Sequence, residues 1–267
     1  MLSFFIPYKS SQIHCLQWGT GKKTLLCFHG FGETAGSFMP LARQMENSHT
    51  VIAVDLPLHG KTIWTEGTDC TTADIVNIIE NIPALHNLRF SLAGYSMGGR
   101  VALSVYERIP QRITQLLLLA PDGLKTNFWY RVATQTGRGN RLFKYFMEKP
   151  GAFFRITILL KKIRMINLGV YNYVHQHLSR EDKREQLYTI WTTMRHLKPG
   201  VKNIKKIIPE NHTRVLLVYG RYDRIIRHTT GSRFKKGIAD YCTLHILPCG
   251  HRVLHEKNAT AIAALLK

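Results

Sequence analysis

The sequence has 267 residues, 45% of them hydrophobic, which is enough to bury the core of one α/β domain with an inserted subdomain. Its 37 Lys and Arg outnumber its 17 Asp and Glu, and the formal net charge of +20 favours an anionic partner such as an acidic substrate or a membrane surface. No apolar run reaches the roughly 18 residues of a membrane-spanning helix. Residues 1–8 lack the basic start and the cleavage site of a secretory signal.

Motifs typical of disulfide-rich and nucleic-acid-binding proteins are absent from the sequence. The cysteines number five, and no two of them form a C-x-x-C pair, so we expect reduced, mostly buried thiols and a cytoplasmic protein. The basic charge is not accompanied by zinc-finger spacing, an RNP-like aromatic strand or a glycine-rich phosphate loop. Nucleic acid is therefore not an expected partner.

The first part of the chain alternates apolar runs with turns and amphipathic segments, which is typical of a sheet flanked by helices. The first two predicted strands form an antiparallel edge. The next two end in loops, 29–32 and 56–60, that a parallel sheet places at its carboxyl edge, where ligands bind. Strands are predicted at Leu2–Tyr8, Gln12–Trp18, Thr24–Phe28 and Thr50–Asp55, and helices at Phe38–Asn47 and Thr71–Ile82, with Thr71 or Thr72 as the N-cap of the latter.

The second part of the chain continues this α/β pattern with one long interruption. Residues 121–213 show no strand signal and contain helical segments broken by Gly139, Pro150-Gly151, Gly169 and Pro199-Gly200. The sequence thus predicts a core of residues 1–120 and 214–267 and a helical cap of residues 121–213. Strands are predicted at Arg89–Ala93, Ile113–Ala120, Arg214–Tyr219 and Tyr241–Leu247, and helices at Arg100–Arg108 and Ala259–Leu266.

A single serine stands between two glycines, at G-x-S-x-G spacing, between a predicted strand and a predicted helix. Ser96 is flanked by Gly94 and Gly98 in this turn. The tight turn strains the serine backbone and leaves no space for side chains two residues to either side. It exposes the hydroxyl at a helix N-terminus, where a developing negative charge is favoured.

Five short motifs follow strands of the predicted sheet in chain order. They are His29-Gly30-Phe31-Gly32, Asp55-Leu56-Pro57-Leu58-His59-Gly60, Gly94-Tyr95-Ser96-Met97-Gly98-Gly99, Gly220-Arg221-Tyr222-Asp223 and Cys249-Gly250-His251. These motifs resemble those of the α/β-hydrolase family, and the resemblance covers nearly the whole chain outside the predicted cap. Leu58 departs from the glycine that is usual in the second motif. The resemblance implies a mostly parallel sheet flanked by helices, with a nucleophile, an acid and a base in that chain order.

A serine nucleophile needs a base within hydrogen-bond reach and an acid that orients the base. Among 13 histidines, His251 is the predicted base because it follows the last strand at the carboxyl edge of the sheet. Asp223, which directly follows the preceding strand, is the favoured acid, and Asp122 is its rival. His255 is expected at the surface near the start of the last helix, and His29 in a structural loop role.

The oxyanion formed in such a reaction requires backbone N–H donors, and we assign these to Phe31 and Met97. No metal or other cofactor is expected, because the sequence has no H-E-x-x-H motif and no cysteine pairing. The spacing of His175 and His177, two residues apart, predicts that they point from different faces of a helix. His245 lies within a predicted strand, where it is either packed or solvated.

The predicted cap holds 18 Lys and Arg against 6 Asp and Glu, so basic charge is concentrated there. Its segment 153–165 alternates apolar and basic side chains. One interpretation is an interfacial helix that touches an anionic membrane surface. The favoured one is an amphipathic helix whose apolar face lines the substrate pocket. Either suggests a small amphipathic or anionic substrate.

The sequence therefore predicts a serine hydrolase that cleaves an ester or thioester, with Ser96, His251 and Asp223 as its catalytic residues. The elbow is also similar to those of the menaquinone-pathway synthase and the dienone hydrolases, so a carbon–carbon bond hydrolase or eliminase is the alternative. A binding protein that kept the fold is a third. Dehalogenases of this fold are excluded because they carry Asp at the position of Ser96.

Overall fold

A computed structural model describes residues 1–125, 128–163, 171 and 178–266, apart from the side chain of Trp129. Its contacts divide the chain into two compact units. The first unit comprises residues 1–66, 70–125 and 197–267, and the second comprises residues 67–69 and 126–196.

The first unit is built on one eight-stranded sheet in the order β1-β2-β4-β3-β5-β6-β7-β8. Strand β2 pairs antiparallel with both β1 and β4, and all the other neighbours are parallel. The mostly parallel α/β architecture is therefore as predicted. The strands are Leu2–Tyr8, Ser11–Trp18, Lys23–Phe28, His49–Val54, Phe90–Tyr95, Ile113–Leu119, Arg214–Gly220 and Cys242–Leu247.

The central strands are buried because their sequences are apolar on both faces. The side chains of residues 116–119 in β6 and 215–219 in β7 are fully buried. Helices pack against the sheet, and burial on both faces is what continuous apolar strands require. The helices of the first unit are α1 Met39–Arg43, α2 Thr72–Glu80, α3 Met97–Arg108, α8 Val201–Glu210, α9 Thr229–Lys235 and α10 Glu256–Ala264.

Helix α2 begins with a capping box, because the Thr71 hydroxyl accepts the N–H of Asp74 and the Asp74 carboxylate accepts that of Thr71. The sequence left Thr71 and Thr72 as alternative N-cap residues, and the structure shows that Thr71 is the N-cap. Asp74 also binds the Tyr8 hydroxyl and the Lys9 ammonium, which ties the helix to the end of β1.

The second unit is helical where it is described. Half-buried aromatic rings pack together in it: the ring of Trp191 lies 5.1 Å from that of Tyr130 and 5.7 Å from that of Phe143. The buried Arg184 guanidinium donates to the carbonyls of Met147, at 2.8 Å, and of residues 178 and 179. Its helices are α4 Phe128–Gln135, α5 Gly137–Glu148, α6 Pro150–Lys162 and α7 Glu181–Thr193.

Several local expectations differ from the structure. Gly139 does not break a helix but lies in the first turn of α5, where its N–H binds the Thr136 hydroxyl. Helix α1 ends at Arg43, short of the predicted Asn47, and α9 was not predicted. Helix α8 belongs to the first unit although the predicted cap of residues 121–213 includes it. Gly169 lies outside the described residues.

All five cysteines are free thiols, and four of them are buried. Burial raises the pKa of the Cys15 thiol to about 12 and that of Cys242 to about 11. It also raises the pKa values of Cys27, Cys70 and Cys249. Within the described part of the chain, no helix combines the length and hydrophobicity needed to cross a membrane.

Candidate active site

The turn between β5 and α3 holds Ser96 in a conformation that side chains rarely adopt, with φ 50° and ψ −116°. Its glycine neighbours are required by close backbone approach. A methyl group on Gly98 would lie 1.9 Å from the carbonyl oxygen of Phe28, and one on Gly94 would lie 2.4 Å from that of Gly98. The serine is thereby fixed at the N-terminus of α3, as the G-x-S-x-G pattern predicts.

The structure brings Ser96, His251 and Asp223 together from three loops at the carboxyl edge of the sheet. The Ser96 hydroxyl lies 3.0 Å from His251 Nε2, and His251 Nδ1 lies 2.7 Å from Asp223 Oδ2. The Asp223 side chain is fully buried, whereas 18% of the His251 side chain is exposed. In this arrangement the His251 imidazole can accept the serine proton while the Asp223 carboxylate fixes the tautomer of the imidazole.

Asp223 is held in position by its own loop. Its second oxygen, Oδ1, accepts the backbone N–H groups of Ile225 at 2.8 Å and Ile226 at 2.9 Å. The rival acid, Asp122, contacts Arg100 instead, with Oδ2 3.4 Å from the guanidinium Nε, and accepts the N–H of Gly123. The geometry therefore pairs His251 with Asp223 and leaves Asp122 in a separate ion pair.

The loop after β3 lies directly against the serine. A methyl group on Gly30 would be 3.4 Å from the Ser96 β-carbon and 3.2 Å from the Tyr95 ring. Phe31 follows Gly30 in this loop, and Met97 begins α3 immediately after the serine. Both residues therefore lie next to groups that adjoin the serine, and their role as oxyanion donors stays a prediction.

The buried carboxylate of Asp55 holds the backbone that follows this loop. Asp55 Oδ1 accepts the N–H of Ala35 at 2.6 Å, and Oδ2 accepts Nδ1–H of His14 at 2.7 Å and the N–H of Lys61 at 2.9 Å. Leu58, where the family has glycine, adopts a left-handed backbone with φ 66°. The second motif therefore has a structural role, and His14 was not recognised from the sequence because it lies on the distant strand β2.

His29 is also structural, as the sequence predicts. Its Nδ1–H donates to the Gly30 carbonyl at 2.7 Å, and its Nε2 accepts the N–H of Leu56 at 3.0 Å. Complete burial lowers the pKa of His29 to about 3, and the neighbouring His59 adds to this effect. The imidazole is therefore neutral and joins the loop after β3 to the loop after β4.

Glu33 is a further acidic group near the site that the sequence analysis missed. One of its carboxylate oxygens, Oε2, is buried without a hydrogen-bond partner among the described residues. Burial raises the pKa of Glu33, while the Ser37 hydroxyl, the Gly30 N–H and the charges of His251 and Arg252 oppose the shift. Its position directly after Gly32 in the first motif was the only signal in the sequence.

The remaining histidine predictions have different outcomes. His255 is exposed and caps α10, where its Nδ1 accepts the N–H of Lys257. His245 lies in β8, and partial burial lowers its pKa. His175 and His177 lie outside the described residues. Among the residues that the structure does describe, no group of three or more His, Cys, Asp or Glu side chains is arranged to hold a metal ion.

The mostly parallel sheet, the serine elbow and the order of the loops define an α/β-hydrolase fold, which confirms the resemblance seen in the sequence. The chain belongs to the Hydrolase_4 family, described as serine aminopeptidase, S33, whose family model matches residues 19–258. Membership of this hydrolase family follows from the sequence match, and the structure shows the fold.

Similar proteins include hydrolases of several kinds. An uncharacterized hydrolase, YugF, of Bacillus subtilis is 23% identical over 242 residues, which cover 89% of this chain and 86% of the relative. A 2-hydroxy-6-oxononadienedioate/2-hydroxy-6-oxononatrienedioate hydrolase of Escherichia coli is 25% identical over 253 residues, covering 91% and 85%. The structure of a thermophilic esterase from Thermogutta terrifontis superimposes with a TM-score of 0.68 at 17% identity, covering 100% of this chain and 97% of the esterase.

Proposed function

We propose that the protein is a serine hydrolase that cleaves a carboxylic ester or thioester through an acyl-enzyme formed on Ser96. The observation that carries the proposal is the continuous hydrogen-bonded chain from the Ser96 hydroxyl through His251 to Asp223. A serine hydroxyl is a weak nucleophile at neutral pH, and such a chain supplies both the base and the group that orients it.

In the first half of the proposed reaction, Ser96 Oγ adds to the substrate carbonyl carbon while its proton passes to His251 Nε2. The backbone N–H groups of Phe31 and Met97 donate to the oxyanion that forms. Asp223 stabilises the resulting imidazolium. When the tetrahedral intermediate collapses, His251 gives the proton to the departing alkoxide or thiolate, and the acyl group remains on Ser96.

In the second half, a water molecule takes the place of the leaving group. His251 Nε2 accepts a proton from the water as its oxygen adds to the acyl carbon. Collapse of this second intermediate breaks the bond to Ser96 Oγ, which recovers its proton from His251. The balance is one ester or thioester and one water consumed, and one carboxylic acid and one alcohol or thiol released, with no cofactor in the scheme.

We propose a small amphipathic or anionic substrate. The formal charge of +20 attracts anions, and long-range steering of an anionic substrate raises its encounter rate. The helical second unit, residues 67–69 and 126–196, corresponds to most of the predicted cap and holds 13 Lys and Arg against 5 Asp and Glu.

A second candidate is the hydrolysis of a carbon–carbon bond, or an elimination, at the same serine. The relative from Escherichia coli favours it, because that protein is a dienedioate hydrolase and its similarity extends over 91% of this chain. A dicarboxylate enzyme of this kind should ignore simple esters. Substrate type therefore separates the two candidates, and a binding protein would turn over neither.

The nucleophile and the type of reaction are tested by measuring hydrolysis of p-nitrophenyl esters from acetate to laurate. An aminoacyl p-nitroanilide and a dienedioate are assayed in parallel. We expect ester turnover by the wild type and its loss, by about 10³-fold or more, in Ser96→Ala. The matched control is Ser104→Ala, which changes another serine of α3 whose buried hydroxyl has no partner among the described residues. Turnover of the dienedioate alone would favour the second candidate.

The test of the acid compares Asp223→Asn with Asp122→Asn. Asp223 is hydrogen-bonded to His251, whereas Asp122 is paired with Arg100. We therefore expect Asp223→Asn to lower kcat by about 10³- to 10⁴-fold. Asp122→Asn should retain activity within a few-fold. Equal losses in the two variants, or ester turnover that persists in Ser96→Ala, would contradict the proposal.

A further inference from the structure

The second unit contains a long stretch of chain that is almost without acidic residues. From residue 126 to residue 180 there are 10 Lys and Arg and a single acid, Glu148. Glu148 is itself paired with Lys144, 3.8 Å away within α5. The excess of positive charge in this stretch is therefore not balanced by its own acidic side chains.

Helix α6, at the centre of this stretch, has an exposed apolar stripe. Ile156, Leu159 and Ile163 are 42%, 56% and 55% exposed. Their spacing of three and four residues puts them on one side of the helix and its C-terminal end. Water is a poor environment for three neighbouring branched side chains, and exposed apolar patches of this kind mark interaction surfaces.

Basic side chains border the stripe. Arg155 and Lys162 are exposed and, being seven residues apart, lie on the same side of α6 beside the apolar row. Neither forms an ion pair with any residue that the structure describes. We call Arg155, Ile156, Leu159, Lys162 and Ile163 the docking face.

We propose that the docking face binds peripherally to an anionic lipid surface. An interfacial helix buries its apolar side chains at the boundary between headgroups and acyl chains, while Lys and Arg bind lipid phosphates. The docking face has both parts. Nucleic acid would use the basic groups but gains little from a row of branched aliphatic side chains, since single strands bind proteins through stacking on aromatic rings.

Lipid binding is measured by co-sedimentation with vesicles of phosphatidylcholine alone and of phosphatidylcholine with one quarter phosphatidylglycerol. The Ser96→Ala background is used, so that the result does not depend on the proposed hydrolase activity. We expect binding to the anionic vesicles to exceed binding to the neutral ones. The double variant Arg155→Gln/Lys162→Gln removes two charges. Each basic group near the surface contributes about five-fold in affinity, so binding to the anionic vesicles should weaken about 25-fold.

The apolar part is tested by Ile156→Ser/Leu159→Ser, which should also weaken vesicle binding at least ten-fold. Matched controls change equally exposed residues of the first unit: Ile63→Ser/Leu88→Ser for the apolar pair and Lys202→Gln/Lys206→Gln for the basic pair. The controls should bind within two-fold of the parent. Thermal unfolding of every variant verifies that it is folded.

Several outcomes would overturn the proposal. One is absence of sedimentation with anionic vesicles by the folded parent protein. Another is equal weakening by the docking-face and control pairs, which would mean that only total charge matters. A third is that the protein binds a 20-nucleotide RNA more tightly than it binds vesicles. If that binding required Arg155 and Lys162 but not Ile156 and Leu159, the face would be a polyanion site.

Discussion

Ser96 joins a proposed chemical role to a strained backbone, and the two contributions can be measured separately. Glycine adopts positive φ without steric cost, whereas alanine does not. Ser96→Gly and Ser96→Ala should both lack ester hydrolysis, but we expect the glycine variant to be more stable by about 1 kcal/mol because it relieves strain of about 1–3 kcal/mol. Urea unfolding measures the difference, and a less stable glycine variant would show that the turn stores no strain at this residue.

His29 makes a prediction about acid stability. Its pKa is about 3 in the folded protein, below the value of about 6.5 in an unfolded chain. The unfolded state therefore binds the extra proton, so this histidine contributes stability that is fully present above pH 6.5 and is lost as the pH falls toward 3. In His29→Gln, which cannot titrate, we expect a smaller loss of thermal stability between pH 6.5 and pH 4 than in the wild type.

The exposed His255 provides the control for this experiment. His255→Gln changes a histidine at the surface end of α10, and its stability profile should follow that of the wild type. Parallel profiles for His29→Gln and the wild type would mean that other buried groups, such as His59, whose pKa burial also lowers, determine the acid sensitivity.

The principal residues of the candidate site were predictable because each comes within four residues of the end of a strand, in a short motif whose residue types have mechanical reasons. Ser96, Asp223 and His251 are of this kind. Glu33 and His14 were not predictable, because their environment depends on which strands are neighbours and on how loops fold back. The contact of His14 with Asp55 spans 41 positions in the sequence, and no local pattern encodes it.

At the scale of elements, α8 is anchored to α3 by one carboxylate. Glu107 accepts the N–H of Gly200 at 2.7 Å and the side-chain amide of Asn203 at 2.9 Å. It thus caps a helix whose N-cap residue is a glycine without a side chain, and its charge favours the helix N-terminus.

Glu107→Ala should consequently lower the free energy of unfolding by about 2 kcal/mol, since hydrogen bonds to a charged group are lost and donors remain exposed. Glu107→Gln, which keeps one acceptor, should cost less. The matched control is Glu210→Ala at the opposite end of α8, where a negative charge is unfavourable and its removal should not destabilise. Equal effects at the two ends, measured by urea unfolding, would argue against the capping role.

The strands were predicted well because residues buried on both faces form uninterrupted apolar runs, as in β6 and β7. Short helices were predicted less well, since α1 and α9 owe their formation to packing on the sheet rather than to their own periodicity. Gly139 shows a related error: glycine commonly ends helices, but near a helix start its N–H can be capped by Thr136, and the helix continues.

At the scale of the whole molecule, the charge of +20 opposes compaction through self-repulsion. Salt shortens the range of this repulsion, from about 30 Å at 0.01 M to about 8 Å at 0.15 M. We therefore expect the thermal midpoint at pH 7 to rise with sodium chloride over this range. The same titration near pH 10, the isoelectric point, is the control and should be nearly flat. Equal slopes at the two pH values would assign the effect to general salting.

The family is one of hydrolases, but neither the family nor the fold specifies a substrate, because α/β-hydrolases use one scaffold for many reactions. The candidate catalytic residues stand in short motifs whose spacing has mechanical reasons, whereas substrate-binding side chains follow no such motif. For this reason the candidate catalytic residues are better specified by the sequence than the substrate is.

The four buried cysteines, Cys15, Cys27, Cys70 and Cys242, offer a way to time the opening of the protein. Buried thiols with raised pKa values carry almost no thiolate at neutral pH, so they resist alkylating reagents while the fold is intact. Each molecule becomes reactive at these four positions only when it opens, whereas the partly buried Cys249 can react without opening. The number of iodoacetamide adducts at the four buried cysteines, followed by mass spectrometry of peptides over hours, would therefore measure the rate of spontaneous opening, without denaturant and without an attached dye.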